Sequence, residues 1–221
     1  MGSRHNSSDF PSGLPVFFDR LAPILCVATA DMVWEGKNLA DLFWLFVLYS
    51  FLGFLIEVAF SRVVRAEKKD RKCLYFLPLC PVYGFGALAI LSLRPLSGGR
   101  LFPLFLLGGL AATGVEYLYD LLCEKLFHVR FWDYSSLPLN LGGRVCLLFS
   151  FFWGLLALVL VRLVQPGIDV LVSLIPGWLT VPAVLFLLLD ILFTVLILRR
   201  TGSTDSLCWY RRFLSRARRP S

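Results

Sequence analysis

Charge is scarce in this chain. Asp, Glu, Lys and Arg make up only 17% of its 221 residues, against roughly 25% in soluble domains. Histidine is rarer still: His5 and His128 are the only two, and no zinc-protease spacing exists. No Walker A sequence occurs, so the chain carries no P-loop ATPase of its own. The six cysteines (Cys26, Cys73, Cys80, Cys123, Cys146 and Cys208) form no CxxC pair. Most lie in or beside apolar runs, which suits small buried hydrophobes better than a disulfide framework. Met1 to Ser12 is polar and no apolar h-region follows it directly, so the N-terminus is not read as a secretory signal.

What is abundant is apolar surface. Hydrophobic residues reach 57% and the mean hydropathy is +0.73. They come in five blocks long enough to cross a hydrocarbon core, which takes roughly 20 residues as a helix. The blocks run from about Leu42 to Val63, Leu74 to Leu93, Leu101 to about Leu122, Val145 to Val161 and Trp178 to Leu198. They are continuously apolar rather than alternating, which excludes a transmembrane β-barrel reading. The expectation is an all-α, polytopic membrane bundle of about five transmembrane helices. Residues 1–40 form an N-terminal extension, 41–198 the bundle and 199–221 a basic tail. Within the extension, Asp19, Arg20 and Asp31 interrupt the apolar residues of Leu14 to Trp34. A charge at span depth costs about 2.5–3.5 kcal/mol on insertion scales, so this segment reads as an interfacial helix rather than a sixth span.

Lysine and arginine set the orientation. Arg4, Arg20, Lys37, Arg94, Arg100 and Arg162 fall on one side of a five-span chain, and the other 16 of the 22 fall on the opposite side. The positive-inside rule then puts the N-terminus outside and the C-terminus in the cytoplasm. The arginines of the tail are read as a topology signal or an attraction to anionic lipid, not to nucleic acid.

With that orientation the polar residues gather toward the cytoplasmic face. Glu57 lies in the inner half of the first helix, and Pro81, Tyr83 and Gly84 lie early in the second. Glu116, Asp120 and Glu124 lie toward the inner end of the third, and Asp190 lies past the middle of the fifth. Trp132, Asp133, Tyr134, Asn140 and Arg144 occupy the third connection. Ionisable residues in a span usually face a bundle interior or a water-filled cavity, so Glu57, Glu116, Asp120 and Asp190 are expected to converge. Glu116, Asp120, Glu124 and His128 recur every four residues and make a slowly turning helical stripe. That stripe reads as a cation path or proton relay. Alternatively, its inner members are solvated or paired with Lys125, Arg130 and Arg144. No metal site is expected; these four residues would be its ligands if one existed. Two prolines and two glycines in Leu77–Gly86 predict that the second helix starts with an unwound or re-entrant turn, or with a packed proline kink. Gly108, Gly109, Ala112, Thr113 and Gly114 predict close helix packing.

Several stretches resemble the bacterial family called Putative ABC-transporter type IV. They are Tyr49-Ser50-Phe51-Leu52-Gly53 with Glu57, Cys80-Pro81-Val82-Tyr83-Gly84-Phe85-Gly86, and Glu116-Tyr117 with Glu124-Lys125-Leu126-Phe127. Trp132-Asp133-Tyr134-Ser135, Asn140-Leu141-Gly142-Gly143-Arg144 and Phe152-Trp153-Gly154 complete the set. The resemblance covers roughly Leu42 to Pro176 in matching order. Phe54 stands where a tryptophan is common, and Gly143 where a more polar residue is expected. The resemblance implies a permease-like subunit of an ABC-type transporter in a bacterial inner membrane, with its substrate unknown. It implies no cofactor in this chain, ATP acting only through a separate ATPase subunit, and a second membrane subunit or a homo-oligomer. The connection from Arg62 to Lys72 would be the docking element. Two alternatives stay open. One is an intramembrane enzyme or lipid-headgroup binder, with Arg144 holding an anionic headgroup and Glu57 or Glu116 as general base. The other is a structural or regulatory membrane subunit.

Overall fold

The computed structural model describes residues 37–64 and 73–208. The interfacial segment expected at Leu14–Trp34, most of the Arg62–Lys72 connection and the arginines of the tail beyond 208 lie outside the described residues. The first helix, α1 (Leu39–Val63), begins at a capping box: the Asn38 side chain accepts from the Asp41 N–H, and the Asp41 side chain accepts from the Asn38 N–H, both at 2.9 Å. Its 25 residues rise about 37 Å, enough to cross a hydrocarbon core of about 30 Å.

The second apolar block is only half helical. Cys73 to Cys80 is irregular, and α2 (Pro81–Leu93) starts with Pro81 in its first turn. A proline there lacks a donor that the helix would not use. The unwound segment lies against neighbouring helices that satisfy its backbone, as irregular chain at membrane depth requires. The N–H groups of Phe76 and Leu77 donate to the Asp190 carboxylate at 2.9 and 2.7 Å, that of Tyr75 to the Thr194 hydroxyl at 2.9 Å, and that of Cys80 to the Ser50 carbonyl at 2.9 Å.

After a 3-10 turn (Arg94–Ser97), α3 (Leu101–Phe127) runs the full depth and ends at His128 in the left-handed conformation. A short hairpin follows, β1 (Asn140–Leu141) with β2 (Val145–Cys146). Next come α4 (Leu147–Val159), a π-helical turn (Leu160–Val164) and α5 (Gln165–Leu174), one continuous rod. The fourth span therefore outruns its expected end at Val161 and carries Arg162 within it. The last long helix is α6 (Thr180–Thr201), closed by Gly202 in the left-handed conformation. Four helical stretches (Leu39–Val63, Leu101–Phe127, Leu147–Leu174 and Gly177–Thr201) are long and apolar enough to cross a membrane. With the half-unwound α2 they make an all-α membrane bundle, and the chain is a multi-pass membrane protein.

The helices alternate in direction, so each end of the bundle has its own residues. The far end holds the Lys37–Asp169 ion pair at 2.6 Å, the Trp44 indole donating to Thr180 at 3.1 Å, and Arg162 donating to the Gly99 carbonyl. The other end, here the loop end, holds the hairpin and Arg130, Arg144 and Arg199. Helix α3 packs on α2 and α4, and α1 on α2. The small residues of α3 permit this closeness: a side chain at Gly108 would meet the Ala157 Cβ at 2.3 Å.

Candidate functional site

A cavity of about 740 Å3 opens at the loop end, walled by α1, the start of α2, α3, the hairpin loop and α4. That volume is typical of small-molecule sites. Two carboxyl groups face it. Glu57 on α1 accepts from the Tyr83 hydroxyl at 2.9 Å. The reach depends on Gly53, one turn earlier on α1, because a Cβ there would fall 2.2 Å from Tyr83 Cγ. Glu116 on α3 is buried and accepts from the Tyr134 hydroxyl at 3.0 Å and the Trp153 indole at 2.9 Å. Aromatic rings line the space around these acids. Tyr83 and Trp153 lie 5.0 Å apart, and Tyr134 stacks on Phe149 at 4.6 Å.

Behind this chamber sits a separate ion cluster. Arg144 donates to the fully buried Asp120 at 2.6 Å and to Glu124, and Arg130 lies 3.4 Å from Asp120. The neighbouring Glu124 carboxylate pushes the Arg144 guanidinium above its ordinary pKa. The Arg144 carbonyl accepts from the Trp132 indole at 2.9 Å, so the same residue fixes one wall of the cavity. Asn140 holds the turn of the loop: its amide donates to the Leu137 carbonyl at 2.7 Å and accepts from the Gly143 N–H at 3.0 Å. Asp133 caps the loop by accepting from the Ser135 N–H at 3.0 Å, which holds its carboxyl below the usual range. Gly143 is left-handed (φ 69°), and a Cβ there would lie 2.7 Å from the Asp133 carboxylate. A more polar, larger residue at 143 would not fit this loop as it stands.

The expected residues thus fall in different places. Glu57, Tyr83, Glu116, Trp132, Asp133 and Tyr134 do come together around the cavity. Asp120, Glu124, Asn140 and Arg144 form its supporting wall. Asp190 does not converge with them, because its carboxylate is engaged by the backbone of the unwound segment. Pro81 and Gly84 are buried at the α1–α2 seam, where a side chain at Gly84 would meet the Ser50 hydroxyl at 2.3 Å. His128 is exposed at the end of α3 and does not continue the acidic stripe into the cavity. Among the described residues no three His, Cys, Asp or Glu side chains are placed to hold a metal ion.

Sequence reasoning did not single out Phe149 or the Cys73–Cys80 pair, whose sulfurs lie 3.0 Å apart at the cavity wall. It named Trp153 only within the family resemblance, and Arg130 and Arg144 as partners of the acidic stripe, which they are for Asp120 and Glu124. Trp153 offered a signal. Tryptophan prefers the membrane interface, whereas this one lies two turns inside an apolar helix and needs a partner for its N–H.

Comparison with known proteins completes the picture. No curated protein and no solved structure matches the chain. A family model described as Putative ABC-transporter type IV matches residues 44–197. That range takes in α1 through most of α6, and with it the cavity acids, the ion cluster and the unwound segment. On this match, which covers well over half of its length, the chain belongs to the Putative ABC-transporter type IV family.

Proposed function

We propose that the chain is the permease-like membrane subunit of an ABC-type transport system in a bacterial inner membrane, and that the cavity at the loop end receives its substrate on the cytoplasmic side. The family membership supports the transport class. The observation that carries the site is the pairing of Glu57 and Glu116 with hydroxyl and indole donors around one open chamber, where ionisable side chains at membrane depth have a use. The sidedness follows from charge. Arg62, Lys125, Arg130, Arg144, Arg199 and Arg200 all belong to the loop end, and the positive-inside rule makes that end cytoplasmic. Without a P-loop of its own, the subunit takes ATP energy through a separate ATPase, docked on the connection Arg62–Lys72 and paired with a second membrane subunit or a second copy of the chain.

Affinity purification from native membranes after mild cross-linking tests this reading. The expected result is an ATP-hydrolysing subunit that co-purifies, and that is lost when the basic residues of 62–72 are neutralised. Recovery of the chain without any ATPase overturns it. Glu57→Gln and Glu116→Gln together should abolish transport while leaving expression intact.

A further inference from the structure

Two thiols of the cavity wall lie against each other. Cys73 opens the unwound segment and Cys80 closes it, and one donates to the other across 3.0 Å. Spacing in the chain does not bring them together, since seven residues of extended backbone reach about 24 Å. The fold does, because the loop between them is held at several points. The N–H groups of Tyr75, Phe76 and Leu77 donate to Thr194 and Asp190 of α6, and that of Cys80 donates to the Ser50 carbonyl of α1. The segment is thereby bent into a short ring that lacks only one covalent bond. Holding two reacting groups this close favours their reaction with each other over reaction with anything outside.

The pair also has an approach. Cys73 and Cys80 are 4% and 3% exposed, yet both line the cavity, beside Tyr83 and Trp132. A space of about 740 Å3 admits a small molecule to that wall and keeps a protein oxidant away from it. Cys80 is the N-cap residue of α2, a helix of 13 residues, and nucleophilic thiols are characteristic of helix N-termini. Cys123 is placed differently. It is hydrogen-bonded to Tyr119 and is not on the cavity wall.

We propose that Cys73 and Cys80 form a thiol–disulfide exchange site that takes a small-molecule disulfide from the cavity. Cys80 gives up its proton and attacks one sulfur of the incoming disulfide. The first small thiolate leaves and takes up that proton, and a mixed disulfide remains on Cys80. Cys73 then attacks the Cys80 sulfur, the second small thiolate leaves with the Cys73 proton, and the Cys73–Cys80 bond closes. Two protein thiols are oxidised, and one small disulfide is reduced to two small thiols. The reverse exchange reopens the bond. Closure makes covalent a ring that Asp190, Thr194 and Ser50 otherwise hold by hydrogen bonds. At the end of the bundle assigned above to the cytoplasm, where thiols are kept reduced, such a bond is transient and redox-sensing, not structural. The exchange itself does not depend on the transport reading.

The test incubates the purified full chain in nanodiscs with bis(2-hydroxyethyl) disulfide, a small neutral probe. The chain is then quenched in acid, alkylated in denaturant and digested with trypsin. Lys72 precedes Cys73, and no cysteine other than Cys80 occurs between it and Arg100. A Cys73–Cys80 bond therefore stays within one tryptic peptide, and a bond to any other cysteine joins two. That peptide should become lighter by two hydrogens and lose both alkylation sites, while Cys123 is still alkylated. Cys73→Ser should stop the reaction at the mixed disulfide on Cys80. Hydrogen exchange at the amides of Phe76 and Leu77 should slow severalfold on oxidation and recover on reduction. Three results on the parent chain overturn the proposal, whether or not the variant folds. They are a mixed disulfide that never closes, a bond from either residue to Cys123, Cys146 or Cys208, and a pair that stays reduced in the folded chain but is oxidised by the same probe in the denatured chain. Closure of the bond with unchanged exchange at Phe76 and Leu77 overturns the fastening of the segment. None of these results bears on whether an ATPase co-purifies, so the two proposals fail separately.

Discussion

Two sets of carboxylates lie within one bundle and are handled in opposite ways. Asp120, Glu124 and Asp190 have charged or multiple backbone partners and sit in walls. Glu57 and Glu116 have hydroxyl and indole donors and face a cavity. Glu116 and Asp120 are neighbours on the same helical stripe, so sequence position does not separate them. What separates them is the element opposite. The hairpin brings Arg144 to Asp120, while the loop and α4 bring Tyr134 and Trp153 to Glu116. An acid held by an ion pair is committed to the fold, whereas Glu116 is held by neutral donors beside an open space.

The comparison breaks most visibly at Arg144. Changing it to Gln leaves Asp120 buried without its closest cation, and the melting temperature should fall by the order of 10 °C. Asp120→Asn in that background should recover part of the loss in a thermal melt, since the unpaired charge is then gone. If Arg144→Gln melts like the parent, Asp120 does not belong to the wall. A smaller loss is expected from Asp190→Ala, about 1–3 kcal/mol, because the amides of Phe76 and Leu77 lose their acceptor. Hydrogen exchange should speed up at those two amides, and unchanged protection there would show that the segment is held some other way.

The cavity acids should behave in reverse. Glu57→Gln and Glu116→Gln keep the shape of the donor contacts and should move the melting temperature by less than about 2 °C, while removing transport. A large melting shift would place Glu116 with the structural set and collapse the distinction. The smallest effect is expected from acid. Asp133 has its pKa depressed by the Ser135 N–H. Its contribution is complete above the unfolded value of about 3.9 and is lost only as pH falls through the lower folded value. Fluorescence from Trp132 and Tyr134 should therefore stay constant from neutral pH down to about 4 and change below it. A transition at higher pH would mean that another group holds the loop.

Much of this was legible in the chain itself. Blocks of about 20 apolar residues fix helices because unpaired backbone is too costly in hydrocarbon. Pro78 and Pro81 marked the place where the second helix could not begin early. Gly108 and Gly109 marked a close seam. The rod from Leu147 to Leu174 was not legible in full, because the fourth apolar block ends at Val161, just before Arg162. A π-helical turn carries the chain past Arg162, which reaches the Gly99 carbonyl, and Pro166 falls in the first turn of α5, where a proline is tolerated. Asp190 misled for a related reason. A carboxylate in a span signals a partner but does not say which, and here the partner is a stretch of broken backbone on another element.

By itself, then, the sequence determined the solvent, the helices, the basic end and the gathering of polar residues near that end, since all of these follow from local composition and period. Only the tertiary structure decided which acid meets an arginine and which meets a tyrosine or tryptophan. Those outcomes depend on directional contacts between residues far apart in the chain, such as Glu116 with Trp153 and Asp120 with Arg144. Neither hydropathy nor spacing along one helix contains that information.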